Sequence, residues 1–348
     1  MAVQRATQSA IKVRGIGSVE LAHDDPIPSP RAGEVLVQVV SIGINPHDWK
    51  VLDMSPSVGS TWGCDFAGKV VAVGSDIASD LRPGDRVCGA SEGSFAEFMI
   101  VPEGLVYKMP PSMAFEEGAT LGVGLLTIGL SLFHFLKVPL PFATEPQPGQ
   151  YVLVYGGGTA TGTLAIQALK HAGMKPITTC SPKNFSHVKS LGAVEAWDYH
   201  SPSCGTDIRE FTENNLTLAL DCITDSESMK ICYTAIGNQG GKYVGLDQFP
   251  IRGHTRQDIR PDWIICFTMM GEPINWKKPY NRGAKPKHKA FYYQTWRPIA
   301  QRLLDESMIT AHPTEICDGG LAAVTDGVDR VRKGLAGGKK LVYRISDP

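Results

Sequence analysis

The sequence has no C-x-x-C pair: Cys64, Cys88, Cys180, Cys204, Cys222, Cys232, Cys266 and Cys317 all stand singly. That spacing excludes a four-cysteine structural zinc site and a redox dithiol. It reads as reduced, mostly buried thiols in a cytoplasmic protein. Charge of one sign is also lacking. With a formal net charge of −1, no global field draws the chain to nucleic acid or to an anionic membrane. The first ten residues lack the apolar core of an export signal. One stretch, residues 119–136, is free of Asp, Glu, Lys and Arg for the length of a membrane helix. Gly122, Gly124, Gly129, Thr127, Ser131 and His134 punctuate it, and no second span accompanies it. It reads as a buried helix between two domains.

What is present is an ordinary globular composition, 43% hydrophobic and 20% charged over 348 residues, enough for about two domains. The first third is β-rich: residues 34–41 and 68–74 have strand composition, and an R-P-G-D-R-V turn lies at residues 82–87. Four prolines between residues 139 and 149 mark a connector. Beyond it strand and helix alternate: strands at 151–155, 176–180, 216–221 and 241–245, helices at 161–172 and 226–236. That alternation predicts a parallel sheet covered by helices, so the fold class is α/β. A helix at 322–333 and a strand at 340–345 close the pattern.

Residues 151–162 read Y-V-L-V-Y-G-G-G-T-A-T-G, a strand running into a glycine turn and a helix. Such a turn lets the backbone approach a pyrophosphate while the helix start binds the anion. The spelling departs from strict G-x-G-x-x-G, since Thr161 occupies the third glycine's place and Gly162 follows. Enzymes that prefer NAD place an acid at the end of the second strand to hold the ribose 2′-hydroxyl. Here that strand runs into Ser181, Pro182, Lys183 and Asn184. Two hydrogen-bonding side chains and a cation favour a 2′-phosphate, although Lys183 also reads as a solvated lysine. NADPH is the expected cofactor.

A zinc alcohol dehydrogenase needs Cys and His donors converging on one centre. Near Asn45-Pro46-His47-Asp48 there is a histidine and no cysteine, and Gly63-Cys64-Asp65 supplies the reverse. No metal is expected. His47 reads as a cofactor-lining or surface residue. Without a Lewis acid, reduction of a conjugated C=C asks less of a protein than reduction of a simple ketone.

The N-P-x-D-x-K run at residues 45–50, G-C-D-F-A-G-K-V-V-A-V-G at 63–74 and R-P-G-D-R-V resemble zinc-free, quinone-oxidoreductase-like medium-chain dehydrogenases/reductases. The glycine turn, T-C-S-P-K-N-F at 179–185, L-D-C-I-T at 220–224 and V-R-K-G at 331–334 narrow the match. Over nearly the whole chain the sequence resembles the trans-acting enoyl reductases of fungal polyketide assembly lines, the group that contains the lovastatin enoyl reductase. The resemblance implies a GroES-like catalytic domain (1–138), a Rossmann domain with a partner loop (139–290) and a C-terminal part (291–348) returning to the first domain. It implies an α,β-unsaturated polyketide thioester as substrate, delivered on the acyl carrier protein of a polyketide synthase, and a monomeric enzyme.

Matched position by position, the resemblance implies cofactor contacts at His47, Asp48, Trp49 and Lys50, and at Gly158, Thr159, Ala160 and Thr161 of the turn. It adds Ser181, Pro182, Lys183 and Asn184, with Tyr199 over the 2′-phosphate or adenine, and Leu246, Asp247, Ala336 and Gly337. A substrate channel would follow Gly124, Leu125, Leu126, Thr127, Ile128, Gly129, Leu130 and Ser131, faced by Phe267, Thr268, Met269, Met270 and Gly271. Plain core packing would look the same at those positions. Lys50 is the expected catalytic residue, through its charge near the cofactor and substrate carbonyl; holding the nicotinamide ribose is its alternative role. Residues 276–290 carry Lys277, Lys278, Arg282, Lys285, Lys287 and Lys289 with no acid between them, a basic loop suited to docking an acidic carrier protein or simply to solvent. A stand-alone NADPH-dependent quinone or enone reductase shares the broader motifs, and a non-catalytic NADPH-binding regulator is the reading from another class.

Overall fold

The computed structural model describes residues 5–143 and 149–347. The middle of the proline-rich connector and the first four residues of the polar N-terminus lie outside them. The N-terminal unit opens with an antiparallel hairpin, β1 (Thr7–Gly15) and β2 (Ser18–Pro26). β3 (Glu34–Gly43) follows and is buried at almost every position, as its E-V-L-V-Q-V-V-S-I-G composition requires of a central strand. It pairs with β4 (Asp65–Val73) and β6 (Phe98–Pro102). β5 (Arg86–Ala90) and β7 (Val106–Lys108) continue the sheet beyond β4. Between β3 and β4 lies α1 (Pro46–Met54), a helix that the strand-rich reading did not assign. Pro46 fits the first helical position, where no N–H is needed. Asn45 N–H donates to Asp48 Oδ2 at 2.6 Å, so Asp48 caps the helix start.

The second unit is a parallel sheet in the order β10-β9-β8-β11-β12-β13. Its strands are β8 (Tyr151–Tyr155), β9 (Lys175–Thr179), β10 (Glu195–Trp197), β11 (Leu218–Asp221), β12 (Gly241–Gly245) and β13 (Ile259–Trp263). Written by order of appearance this is 3-2-1-4-5-6, the dinucleotide-binding arrangement whose ligand crevice opens where the order reverses beside β8. The strand expected at 176–180 begins and ends one residue earlier. β10 and β13, each short or charged, gave no clear period.

Helices join the two units. α2 (Phe115–Gly118) and α3 (Gly122–Ile128) run on as a π-helical stretch, Gly129–Phe135. This span, apolar enough to cross a membrane by composition, has 83% of its window buried inside the protein. α3 packs against α4 (Ala160–His171) of the parallel sheet and against β5 of the other, the between-domain position expected for it. The indole of Trp296 packs at the junction with the π stretch: it donates to Leu125 O at 2.8 Å, and its ring fills the space where a Cβ on Gly129 would stand. α5 (Phe185–Leu191), α6 (Cys204–Phe211) and α7 (Ser226–Ala235) cover the parallel sheet. α8 (Pro286–Phe291) and α9 (Arg297–Asp305) lead back towards the first unit. There β14 (Thr314–Cys317), α10 (Val324–Arg332) and β15 (Lys340–Arg344) complete the described chain, with β15 antiparallel on β3.

Candidate active site

The β8–α4 turn is built for close approach. Gly156 takes φ +85°, a value open to glycine. A Cβ on Gly157 would overlap Thr178 Oγ1, and one on Gly162 would overlap Gly156 O. Gly162, one place later than the strict fingerprint has it, therefore provides the tight helix–strand packing. Thr159 caps α4 by accepting from Gly162 N–H at 3.0 Å, and Ala160 and Thr161 of the first turn line the cleft with the helix dipole behind them. Asn184 lies against Gly158, and Ser181 Oγ is 3.5 Å from Tyr199 Oη. This is a fit for a dinucleotide, from the glycines to the hydrogen-bonding groups at the end of β9.

From the turn a cleft of about 410 Å³ runs between the two units. α1 forms one wall. His47 and Lys50, three residues apart and so on one helix face, both point into it. Lys50 Nζ donates to Asp247 Oδ2 at 2.5 Å, and Tyr280 Oη donates to Asp247 Oδ1 at 2.8 Å. Burial alone would raise the Asp247 carboxyl, but the bonds from Lys50, Tyr280 and Gln248 N–H hold it below its ordinary value. Burial and the bond to Asp247 push the Tyr280 phenol up to about 12, so it keeps its proton. The loop carrying Tyr280 is pinned to the end of α1, where Lys277 N–H donates to Ser55 Oγ at 3.1 Å. It also brings Trp276 against His47, whose ring packs on both Trp276 and Phe267 at centroid distances of 5.2 and 4.8 Å.

At the cleft floor sits a buried ion pair. Lys340 Nζ, from the first residue of β15, donates to Asp65 Oδ2 at 2.8 Å and to Asn45 Oδ1 at 2.5 Å. Asn45 Nδ2 also reaches Asp65 Oδ2 at 2.9 Å, and Val123 N–H donates to Asp65 Oδ1 at 2.7 Å. The pair's side chains are 6% and 0% exposed. Both Asp65 oxygens are thus committed, and a fixed ammonium stands among the residues where a catalytic zinc would be sought. Burial pushes the Cys64 thiol well up, disfavouring the thiolate a metal binds. No cluster of three His, Cys, Asp or Glu side chains forms a metal cage among the described residues. The donor set does not fit zinc.

His47, Lys50, Gly158, Thr159, Ala160, Thr161, Leu246, Asp247 and Ala336 all line the cleft. Gly337 sits beside Ala336 and Gly338, which line it too. Ser181, Pro182, Lys183, Asn184 and Tyr199 gather beyond the glycine turn, outside the cleft proper. Asp48 is buried as the helix cap, and Trp49 faces Lys50 and Arg332 instead of the cavity. The proposed channel segments divide sharply. On α3 only Thr127, with Val123 one turn earlier, reaches the cleft, because a helix shows one face. Leu125, Leu126 and Ile128 are core residues. Gly124 packs on Leu164, Gly129 on Trp296, and Ser131 donates to Thr127 O. Leu130 and Thr268 line an adjoining basic cavity. Phe267 faces the cleft, Met269 is buried, Met270 half-buried, and Gly271 ends its turn at φ +84°.

Sequence reasoning missed Tyr280, Trp276, His312 and Lys340. His312 is spanned by Thr163 Oγ1 and Gly338 O at 3.1 and 2.9 Å. The first two lie in what read only as a basic loop, though two aromatics among its lysines are a signal that the loop has an inward face.

Comparison with known proteins agrees with this architecture. Residues 31–111 match the alcohol dehydrogenase GroES-like domain, and residues 160–247 match the zinc-binding dehydrogenase family. The trans-enoyl reductase iccB of Talaromyces variabilis is 46% identical over 361 residues, 97% of this chain and 96% of its own. The trans-enoyl reductase iliB of a Neonectria species is also 46% identical, covering 98% and 97%.

This chain belongs to the trans-enoyl reductase family.

The trans-enoyl reductase fold extends to solved structures of low identity. The CurK enoyl reductase superposes with a TM-score of 0.78 at 19% identity, covering 98% of this chain and all (100%) of that one. The quinone oxidoreductase of Coxiella burnetii gives 0.70 at 20%, covering 97% and 99%. The GroES-like and Rossmann pairing expected from the sequence is the fold observed, and its dehydrogenase families are users of a nicotinamide cofactor.

Proposed function

We propose that this trans-enoyl reductase uses NADPH to reduce the C=C bond of an α,β-unsaturated polyketide thioester carried on the acyl carrier protein of a polyketide synthase, alone or fused to a peptide synthetase. The observation that carries the reading is Lys50, fixed by Asp247 inside an apolar cleft that starts at the glycine turn. When bound, the cofactor supplies hydride to the β-carbon. The Lys50 ammonium then stabilises negative charge developing on the thioester oxygen, and Asp247 with Tyr280 keeps it from swinging into solvent. Thr127, Val123 and Phe267 form an apolar wall that shapes the acyl chain. Ser181, Lys183, Asn184 and Tyr199 receive the 2′-phosphate side of NADPH.

The test is oxidation of NADPH followed at 340 nm with a crotonyl or longer enoyl thioester of a pantetheine mimic, beside a simple quinone and beside NADH. Turnover of the thioester with preference for NADPH is expected. Turnover of the quinone alone would move the chain to the stand-alone reductases, and none with either acceptor would leave a nucleotide-binding regulator.

Lys277, Lys278, Lys285 and Lys287 are exposed on the loop that also forms the cleft wall, which supports docking of an acidic carrier protein there. Arg282 is less free, stacked over Trp263 at 4.0 Å. Reversing Lys285 and Lys287 to glutamate is expected to slow reduction of carrier-bound substrate roughly tenfold, mostly through association. Pantetheine thioesters should be spared, and equal losses on both would refute docking. The reading further places the enzyme in the cytoplasm as a monomer, in keeping with eight unpaired cysteines.

A further inference from the structure

Reduction across C=C needs a proton at the α-carbon after hydride reaches the β-carbon, and most of the ionisable side chains lining the cleft are already engaged. Tyr280 gives its one hydrogen to Asp247, and Lys50, tethered there by one of its three N–H bonds, is already assigned to the thioester oxygen. Lys340 is held by Asp65 and Asn45. Thr127 Oγ1 donates to Val123 O at 2.7 Å, His312 has partners on both ring nitrogens, and Lys339 is exposed at the rim. His47 differs. Among the described residues neither of its ring nitrogens has a hydrogen-bond partner, although Phe267 and Trp276 fix the plane of the ring.

Behind His47 lies a second, smaller cavity of about 40 Å³ lined by Asp48, Ser57, Ser60, Thr61, Cys64 and Glu92 among others. Val13, Val51, Leu52 and Trp62 complete its wall, and the volume with those polar groups suits a water. Ser57 is exposed, so the cavity reaches solvent. Asp48 is buried, and its Oδ1 has no hydrogen-bond partner among the described residues. Between this cavity and the cleft, His47 is the ionisable side chain common to both linings.

We propose that His47 delivers the α-proton and is resupplied through the polar cavity behind it. An N–H bond of the neutral imidazole breaks as the enolate's electron pair forms the new C–H bond. The other ring nitrogen takes a proton from a cavity water backed by the Glu92 carboxyl, and solvent entering past Ser57 restores that proton. After the product leaves, water in the open cleft protonates the facing nitrogen as the far one returns its proton to the cavity, which resets the tautomer. Burial, with Lys50 alongside, pushes the imidazole down to about 4, so the ring is neutral at pH 7. Burial raises Asp48 to about 7, so it is partly protonated near neutrality, and raises Glu92 above its usual range.

The inference rests on the enoyl-reducing reading, so the wild-type protein is first assayed with an α-methyl enoyl thioester, whose product carries the new proton at a stereocentre. Failure of the wild type counts against that reading, not against His47. With wild-type turnover in hand, His47→Ala is expected to lose about 10²-fold in kcat. Millimolar imidazole should restore part of it, any change in cofactor affinity by fluorescence titration should be small beside the loss in kcat, and the product should lose its single α-configuration. Glu92→Gln, on the far cavity wall and outside the cleft, should lower kcat several-fold and raise the solvent isotope effect while leaving cofactor affinity alone; it decides the matter if the His47 variant does not fold. Full turnover with one α-configuration in His47→Ala overturns the proposal. So does a loss that follows cofactor affinity and ignores imidazole, and so does a Glu92→Gln protein with wild-type kcat and isotope effect.

Discussion

Lys50→Met is expected to cut kcat for an enoyl thioester by about 10²–10³-fold, the scale seen when one donor to a developing oxyanion is removed. Methionine keeps most of the side-chain length, so the loss would report charge and not packing. The ammonium is held at 2.5 Å from Asp247 Oδ2 before any substrate arrives, and a charge fixed in advance costs no reorganisation during reaction. If Lys50 instead holds the nicotinamide ribose, the variant should show weaker cofactor binding with kcat little changed. Asp247→Asn separates the two by loosening the tether while leaving the cation, and should cost about tenfold through misplacement. Unchanged kcat and unchanged cofactor affinity in Lys50→Met would remove Lys50 from the mechanism altogether.

Lys340→Met is expected to destabilise the protein by about 3–5 kcal/mol, the cost of leaving one charge of a buried pair behind. Asp65 is fully buried, and after the substitution Asn45 and the Val123 N–H are its remaining bonded partners. Thermal unfolding monitored by circular dichroism reads the loss. The double variant Asp65→Asn, Lys340→Met removes both charges and should recover much of the stability. Simple additivity of the two single losses would show that the pair is not coupled.

Much of this architecture was legible. The alternation from Tyr151 to Gly245 reported the parallel sheet because most strands there, though not the short β10, are apolar runs bounded by turn residues. The glycine turn was found because backbone approach leaves a mark in sequence, whereas Lys50 and Asp247 came from the family resemblance; the structure brings both to the cleft wall. What stayed hidden depends on which way a face turns. Residues 124–131 read as one apolar channel, but a helix commits Leu125, Leu126 and Ile128 to the core and gives the cleft Val123 and Thr127. Lys340 opens an apolar strand and looks like a solvated lysine. Only the antiparallel register of β15 on β3 carries it to Asp65. Asp48 read only as a cofactor contact, because the helix start at Asn45-Pro46 that makes it a cap was not assigned from the sequence.

The order in which these parts are made on the ribosome has its own consequence. The strands of the parallel sheet emerge within one continuous stretch, from Tyr151 to Trp263, and can pair as they appear. The floor of the cleft cannot, because Lys340 and Asn45 meet across 295 positions of sequence. Until β15 arrives, part of β3 presents an unpaired edge and Asp65 an unmatched charge, a state open to wrong pairing. The nascent chain therefore acquires a nucleotide-binding half well before it has a working reductase. The slow step of its biogenesis should be closure of that first-made sheet by its last-made strand.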